Sequence, residues 1–239
     1  MNTAMYKAVS GSVAQMRRLE VAMQNLANMN TSGFKGQRVA FSELLAASEQ
    51  GEDRAGGLVA IAEQRTDFTQ GEMQQTGNQF DLAIDGEGFF VIDSPRGPRY
   101  TRQGTFTLSS DGTLVNSFGE PVLGDGGPIR IAGKKMDVTP EGIVRSEEGE
   151  AGRLQVVRFV DPLTLTQEGR GLYRAPDGVQ PQPAGEVRVL QGSIEQSNVN
   201  AVDAMVGLIA IHRQFEAYGK ALQLMDQATG RMIAEGARL

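Results

Sequence analysis

The chain has 239 residues, a formal net charge of -6, a sequence pI near 5.0 and no cysteine. That length buries one sizeable core or two modest ones, and the acidic balance argues against a nucleic-acid binder, which needs clustered Lys and Arg to neutralise phosphate. Disulfides, thiol nucleophiles and zinc–thiolate sites are excluded, and no stretch approaches the ~20 apolar residues of a bilayer span or the apolar core of a secretory signal.

At the N-terminus, Met5, Val9, Ser12, Met16, Leu19, Met23 and Leu26 are separated alternately by four and three residues. This is the a/d rhythm of a heptad seam, broken in polarity only by Ser12. The spacing predicts a helix over roughly residues 3–29, ~40 Å long. One seam buries nothing unless a partner helix supplies the other side; the alternative is an amphipathic helix lying on its own domain. In Asn25-Leu26-Ala27-Asn28 and Thr31-Ser32-Gly33-Phe34-Lys35 the helix must give way to extended chain. Asn25 and Asn28 are expected to end it, or to bond a neighbouring subunit there. Gly33 supplies a positive φ at the exit, and Phe34 an apolar anchor beyond it.

From Lys35 to Thr76 the chain is polar, punctuated by Gly51, Gly56 and Gly57, with short apolar pieces at 41–45 and 58–61. It reads as a connector holding a helical turn or a short hairpin. Strands are then predicted at 80–84, 89–93, 99–102, 105–108, 113–115, 128–131, 143–145 and 153–159, separated by Gly, Pro, Asp and Ser clusters in the manner of an antiparallel β-domain. Ser110-Asp111-Gly112-Thr113 is the sharpest turn.

Extended chain turns back into helix at Gln191-Gly192-Ser193-Ile194-Glu195-Gln196-Ser197-Asn198-Val199-Asn200. Ala201, Ala204, Leu208, Ile211, Phe215, Tyr218, Leu222, Met225, Thr229 and Met232 form a second seam, predicting a helix ~50 Å long. Val202, Met205, Val206 and Ile209 widen its face at the start, which suggests more than one neighbour. Ser197 or Asn198 is the expected N-cap, and Asp203 puts a carboxylate near the positive helix end.

The expected fold is therefore α+β. The terminal helices, residues 1–32 and 198–239, pair as a coiled-coil-like inner domain. Residues 33–75 and 187–197 form a connector, and 76–186 a mainly antiparallel β outer domain. A two-helix pair is thin and rich in adaptable Met, so copies of itself or relatives are expected to complete it.

No catalytic, cofactor or metal site is expected. Asp85-Gly86-Glu87-Gly88 has Val91 where a dinucleotide fingerprint needs its third glycine, and it reads as a hairpin turn. Gly124-Asp125-Gly126-Gly127 lacks the Lys and Ser/Thr of a phosphate loop. His212, the only histidine, has no second imidazole or thiol with which to hold a transition metal. Asp81, Asp85 and Glu87 suggest a glycosidase pair only without its usual aromatic platform, since the chain has no Trp. A glycan-binding or hydrolytic β-domain with helical arms is the competing class.

The stretches Asn25-Leu26-Ala27-Asn28 and Thr31-Ser32-Gly33-Phe34-Lys35 resemble the N-terminal signature of bacterial flagellar axial proteins, the rod and hook subunits of the basal body. Thr69-Gln70-Gly71, Gln75-Thr76-Gly77-Asn78, Asp81 to Phe90, Tyr100 to Phe106 and Gly192 to Val202 resemble the family in the same order. Pro121 to Ile129 and Arg153 to Phe159 are more similar to the proximal-rod branch than to the distal-rod branch. The resemblance implies a structural subunit whose terminal helices stack into a hollow, torque-bearing shaft. It further implies partners among copies and other rod proteins, unfolded export through the flagellar type III apparatus, and a place in the periplasm-spanning rod. Asn25, Leu26, Ala27, Asn28, Thr31, Gly33, Phe34, Lys35, Ser197, Asn198 and Val199 are the motif residues at which helix and insert meet.

Overall fold

A computed structural model of the chain describes residues 3–44, 58–185 and 187–236. Two helices, α1 (Thr3–Ala27) and α2 (Ala201–Gly236), flank a mainly antiparallel strand-rich middle, an α+β fold. Two compact units divide the chain. One comprises residues 1–27, 37–67 and 199–239; the other comprises 28–36 and 68–198.

In the helical unit, the strands Gln37–Leu44 and Leu58–Thr66 pair antiparallel, with a bulge at Ala40/Phe41. The expected connector is thus a long hairpin as far as it is described; Gly51, Gly56 and Gly57 lie outside the described residues. Among its described side chains burial does not alternate strictly: Gln37 is buried, whereas the adjacent Gln64 and Arg65 are both exposed, so no period-two signal marked the strands. Among the described side chains of α1, the buried positions are Gly11, Ala14 and Val21. Gly11 admits the Tyr218 ring of α2: a Cβ there would lie 3.2 Å from the ring edge. Arg17 Nη2 donates to Gln64 Oε1 at 2.8 Å on the hairpin. α2 is capped by Asn200, whose Oδ1 accepts from the amides of Val202 (2.9 Å) and Asp203 (3.2 Å). This corrects the expected cap at Ser197 or Asn198; Asn198 is committed elsewhere, as described below.

In the β-rich unit, six antiparallel strands among the described residues form one sheet in the order Thr166–Gly169, Leu172–Arg174, Gly97–Thr101, Phe89–Ser94, Val156–Arg158, Gln182–Pro183. Phe89–Ser94 is central and buried on both faces. Its alternating side chains therefore feed two cores: Phe90 and Ile92 join Leu82, Ile84, Phe106, Leu114 and Val144, whereas Phe89 and Val91 join Tyr100, Val157, Phe159 and Tyr173. Edge-to-face aromatic pairs, Phe90–Phe106 at 5.3 Å and Tyr100–Phe159 at 4.8 Å between ring centroids, fix the packing on each side.

Two local expectations fail here. Asp85 to Gly88 is not a hairpin turn: Leu82–Asp85 pairs with Arg188–Gln191, whereas Phe89–Ser94 pairs with Gly97–Thr101. The stretch 153–159 is not one strand. Leu154 N donates to Gly142 O and Gln155 N to Leu123 O, so the backbone changes partners before Val156–Arg158 begins. By contrast, Asp111-Gly112 does close the pairing of Thr107–Leu108 with Leu114–Val115, with Gly112 at φ 78°.

Candidate functional site

The most unusual chemistry of the chain is a buried charge cluster inside the β-rich unit, where four distant segments meet. After α1, Thr31 N bonds Asn28 O and Phe34 N bonds Thr31 O, forming a tight turn. Gly33 sits at φ 65°, and a Cβ there would fall 2.4 Å from the Arg102 carbonyl carbon. Glycine is thus required twice, for conformation and for space. Gly33 N then donates to Glu195 O at 2.7 Å, tying the outgoing chain to the returning one. Phe34 is buried as expected, and Lys35 beside it is wholly buried.

Lys35 Nζ donates to Glu195 Oε1 at 2.5 Å and to Thr69 O at 2.7 Å. Glu195, itself 1% exposed, also accepts from Gly71 N at 2.8 Å, and its Oε2 meets Arg102 Nη1 at 3.3 Å. Arg102 further donates to Ile84 O (3.2 Å) and Gly86 O (2.7 Å), with its guanidinium 5.6 Å from the Phe89 ring centroid. Two cations share one carboxylate, and three backbone carbonyls take other donors of the pair. Burial lowers the pKa of Arg102, opposed chiefly by Glu195. Burial raises that of Tyr173, whose hydroxyl faces the Lys35 backbone without closing a hydrogen bond. Removing one partner from such a group leaves an uncompensated buried charge, at a cost of ~3–5 kcal/mol. The Glu195 carboxylate is engaged on both oxygens, an arrangement suited to holding segments together and not to moving protons.

Neighbouring bonds extend the clamp. Asn198 Oδ1 accepts from Gly36 N at 2.8 Å, and its Nδ2 donates to Thr69 O at 3.1 Å. Gln196 N bonds Glu72 O, where Ser193–Glu195 pairs with Met73–Gln75. A Cβ on Gly71 would lie 2.0 Å from Gln196 O, so the strands approach as only glycine permits. The structure therefore gathers Thr31, Gly33, Phe34, Lys35 and Asn198 around Arg102 and Glu195. Ser197 and Asn28 are half-buried in the same unit. Sequence reasoning assigned no role to Arg102 and Glu195. The signal was present only as the charged residues Lys35, Arg102 and Glu195 inside glycine-bearing motifs at 31–35, 100–104 and 192–200.

In the helical unit, Asn25 acts within its own chain: its Nδ2 donates to Gln37 O at 2.8 Å, and its Oδ1 accepts from Gln37 N at 2.9 Å. Among the seam residues, Met16 and Met23 are about half exposed, and Leu19 and Leu26 are half-buried. On α2, Leu208, Ile211 and Leu222 are half-buried, whereas Phe215 and Tyr218 are exposed. Met5, Val9, Met225, Thr229 and Met232 lie on the helices, but their side chains fall outside the described ones. Ala27 is exposed and Val199 half-buried. The second row, Val202, Met205, Val206 and Ile209, is exposed throughout.

Of the acids weighed for catalysis, Asp81 is buried and accepts from Thr76 Oγ1 (2.7 Å) and Asn78 Nδ2 (3.1 Å), closing a turn. Asp85 and Glu87 are exposed. Among the described residues, His212 faces Glu216, 3.8 Å away on the α2 surface. No helix among the described residues is long and apolar enough to cross a membrane.

Comparison with known proteins places these features in a family. Residues 5–35 match the flagella basal body rod protein model, 83–146 the flagellar hook protein FlgE/F/G D1 domain, and 190–234 the flagellar basal body rod FlgEFG protein C-terminal model. The flagellar basal-body rod protein FlgF of Caulobacter vibrioides is 36% identical over 232 residues, covering 93% of both chains. FlgG of Borreliella burgdorferi is 33% identical over 261 residues, covering 96% of this chain and 97% of the relative. FlgF of Mesorhizobium japonicum is 32% identical over 222 residues, covering 90% of each. The chain thus belongs to the flagellar basal-body rod protein family, the structural proteins of the flagellar rod.

Proposed function

We propose that this chain is a structural subunit of the proximal rod, built into a hollow shaft by its terminal helices. α1 and α2 pair as a coiled-coil-like inner domain, residues 1–32 and 198–239. Residues 76–186 form the outer domain, with 33–75 and 187–197 linking the two. The observation that carries the reading is the apolar surface both helices leave uncovered: Met16 and Met23 on α1, and Val202, Met205, Val206, Ile209 and Phe215 on α2. Such a surface is a liability in a monomer and an interface in a filament. Heterologous contacts between unlike faces repeat by a screw operation, giving an open tube instead of a closed ring. Torque is then shared over many seam residues per subunit, while the channel serves export. Copies of itself and other rod proteins are the partners, and the flagellar type III apparatus delivers the unfolded chain to the periplasm-spanning rod.

The test replaces Leu208, Phe215 or Leu222 with Asp in the full chain. Incorporation into the rod and motility are expected to be lost while the β-rich unit keeps its fold; normal rods and normal swimming in all three variants would overturn the reading. A distal-rod role has its own support in the FlgG relatives. Complementation separates the two: rescue of a host lacking FlgF supports the proximal role, and rescue only of one lacking FlgG replaces it.

A further inference from the structure

A second charge cluster, within the β-rich unit and apart from the buried clamp, has the opposite character: it is open and poorly compensated. At the tip of the hairpin formed by Phe89–Ser94 and Gly97–Thr101, Ser94 Oγ donates to Gly97 O at 2.7 Å and accepts from Arg96 N at 3.3 Å, so the turn is rigid. Arg99 extends back beneath it. Its Nη1 is fixed by the carbonyls of Arg96 (3.0 Å) and Pro98 (3.0 Å), with Gly97 O at 3.4 Å, and its Nε donates to Glu168 Oε2 at 2.8 Å. Arg99 is 6% exposed, yet its Nη2 has no protein partner among the described residues and is not fully enclosed.

Two more guanidiniums converge on the same carboxylate. Arg174 Nε lies 3.2 Å from Glu168 Oε1, and Arg96 Nη2 lies 3.6 Å from Oε2. In the sheet register Tyr173 faces Tyr100, so Arg174 takes the next position, opposite Arg99. Like charges directly opposite across strands are destabilising unless an anion intervenes. Glu168 is brought in by the bulge between Gln167 and Gly169, but it neutralises one charge of three. Asp93 offers no relief: it pairs with Pro98, one position along from Arg99, and therefore points to the other face of the sheet. A local excess of two positive charges in a chain of net charge -6 is left standing at an exposed tip.

We propose that Arg96, Arg99 and Arg174 form an oxyanion-binding site that takes a carboxylate or phosphate group against the free Nη2 of Arg99. A guanidinium already oriented by three carbonyls loses little freedom on binding, and its Nη2 donates to one oxygen of the anion while the exposed Arg96 and Arg174 guanidiniums supply charge for the others. Glu168 holds the arginines apart from bulk anions and competes with the ligand for them.

The experiment titrates inorganic phosphate and, separately, succinate into the full-length protein at low ionic strength, following the Arg99 Nε–H signal by NMR. Saturable shifts with either anion are expected, and which one binds more tightly identifies phosphate or carboxylate as the natural group. Arg96→Gln and Arg174→Gln, at exposed side chains, should each weaken binding about two- to fivefold. Glu168→Gln should tighten it, a gain that a carboxylate with a purely structural role would not give. Absence of a saturable shift with both anions overturns the proposal, as does unchanged affinity in the Arg96→Gln/Arg174→Gln double variant.

Discussion

The two units of this chain solve opposite problems with the same alphabet. Among the described residues, the buried hydrophobic side chains of the helical unit are Ala14 and Val21, whereas the β-rich unit buries Leu82, Ile84, Phe90, Ile92, Phe106, Leu114, Tyr173 and many more. Of the thirteen large hydrophobic side chains left exposed among the described residues, ten lie on α1 or α2, and only Phe118, Val160 and Leu163 lie in the β-rich unit. The β-rich unit is self-sufficient, with two cores served by one central strand. The helical unit spends its apolar residues on surface. The difference is what the proposed function rests on: apolar surface that folding of the monomer leaves in water is surface that association would remove.

The strongest way to break the comparison is to attack the clamp of the self-sufficient unit. Glu195→Gln leaves Lys35 and Arg102 buried without their carboxylate and is expected to lower stability by ~3–5 kcal/mol in urea unfolding of the full chain. The Lys35→Met/Glu195→Gln double variant should recover part of that loss, because only Arg102 is then left buried without a counter-charge; a double variant as damaged as the sum of the singles would refute the coupling. Gly33→Ala comes next, at ~2–3 kcal/mol, since it must be accommodated at φ 65° against the Arg102 backbone. A melting temperature within experimental error of the parent would mean the turn relocates.

How far these features could be read from sequence follows from the range of the interactions involved. α1 and α2 were legible because heptad spacing is local, and so was the Asp111-Gly112 turn. The order of strands was not: Leu82–Asp85 finds its partner in Arg188–Gln191, about a hundred residues away in the chain, and no periodicity encodes such a pairing. The same holds for Lys35 and Glu195, which lie 160 residues apart. The cap of α2 was misassigned between neighbouring polar residues because Asn198 and Asn200 are chemically alike. Only the third dimension gives Asn198 to Gly36 and Thr69 and leaves Asn200 for the helix.

Changes on the exposed faces should behave in the reverse manner. Val206→Ser or Ile209→Ser removes apolar surface that touches water, so monomer stability is expected to move by no more than about 0.5 kcal/mol. Rod incorporation should nevertheless fall, as read by the amount of the variant co-purifying with basal bodies. Equal incorporation of both variants would move the interface to another face of α2.

The smallest effects are those of pH, and the groups that carry them, Asp111, Glu168 and Tyr173, belong to the β-rich unit. Hydrogen bonds from Ser109 and Thr113 hold the Asp111 carboxyl down to about 2, against an ordinary value of 3.8. The Glu168 carboxyl is lowered from 4.5, first by its hydrogen bond from Arg99. For both, the unfolded chain takes up a proton before the native one does. Their contribution is therefore complete above pH 4.5 and is lost as the pH falls through the native values. Tyr173 runs the other way. Burial raises its pKa above 10.0, so the unfolded phenol ionises first and stability declines as the pH climbs past that value. Unfolding midpoints measured across pH should thus show an acid limb flattened by Asp111→Asn and Glu168→Gln and an alkaline limb flattened by Tyr173→Phe.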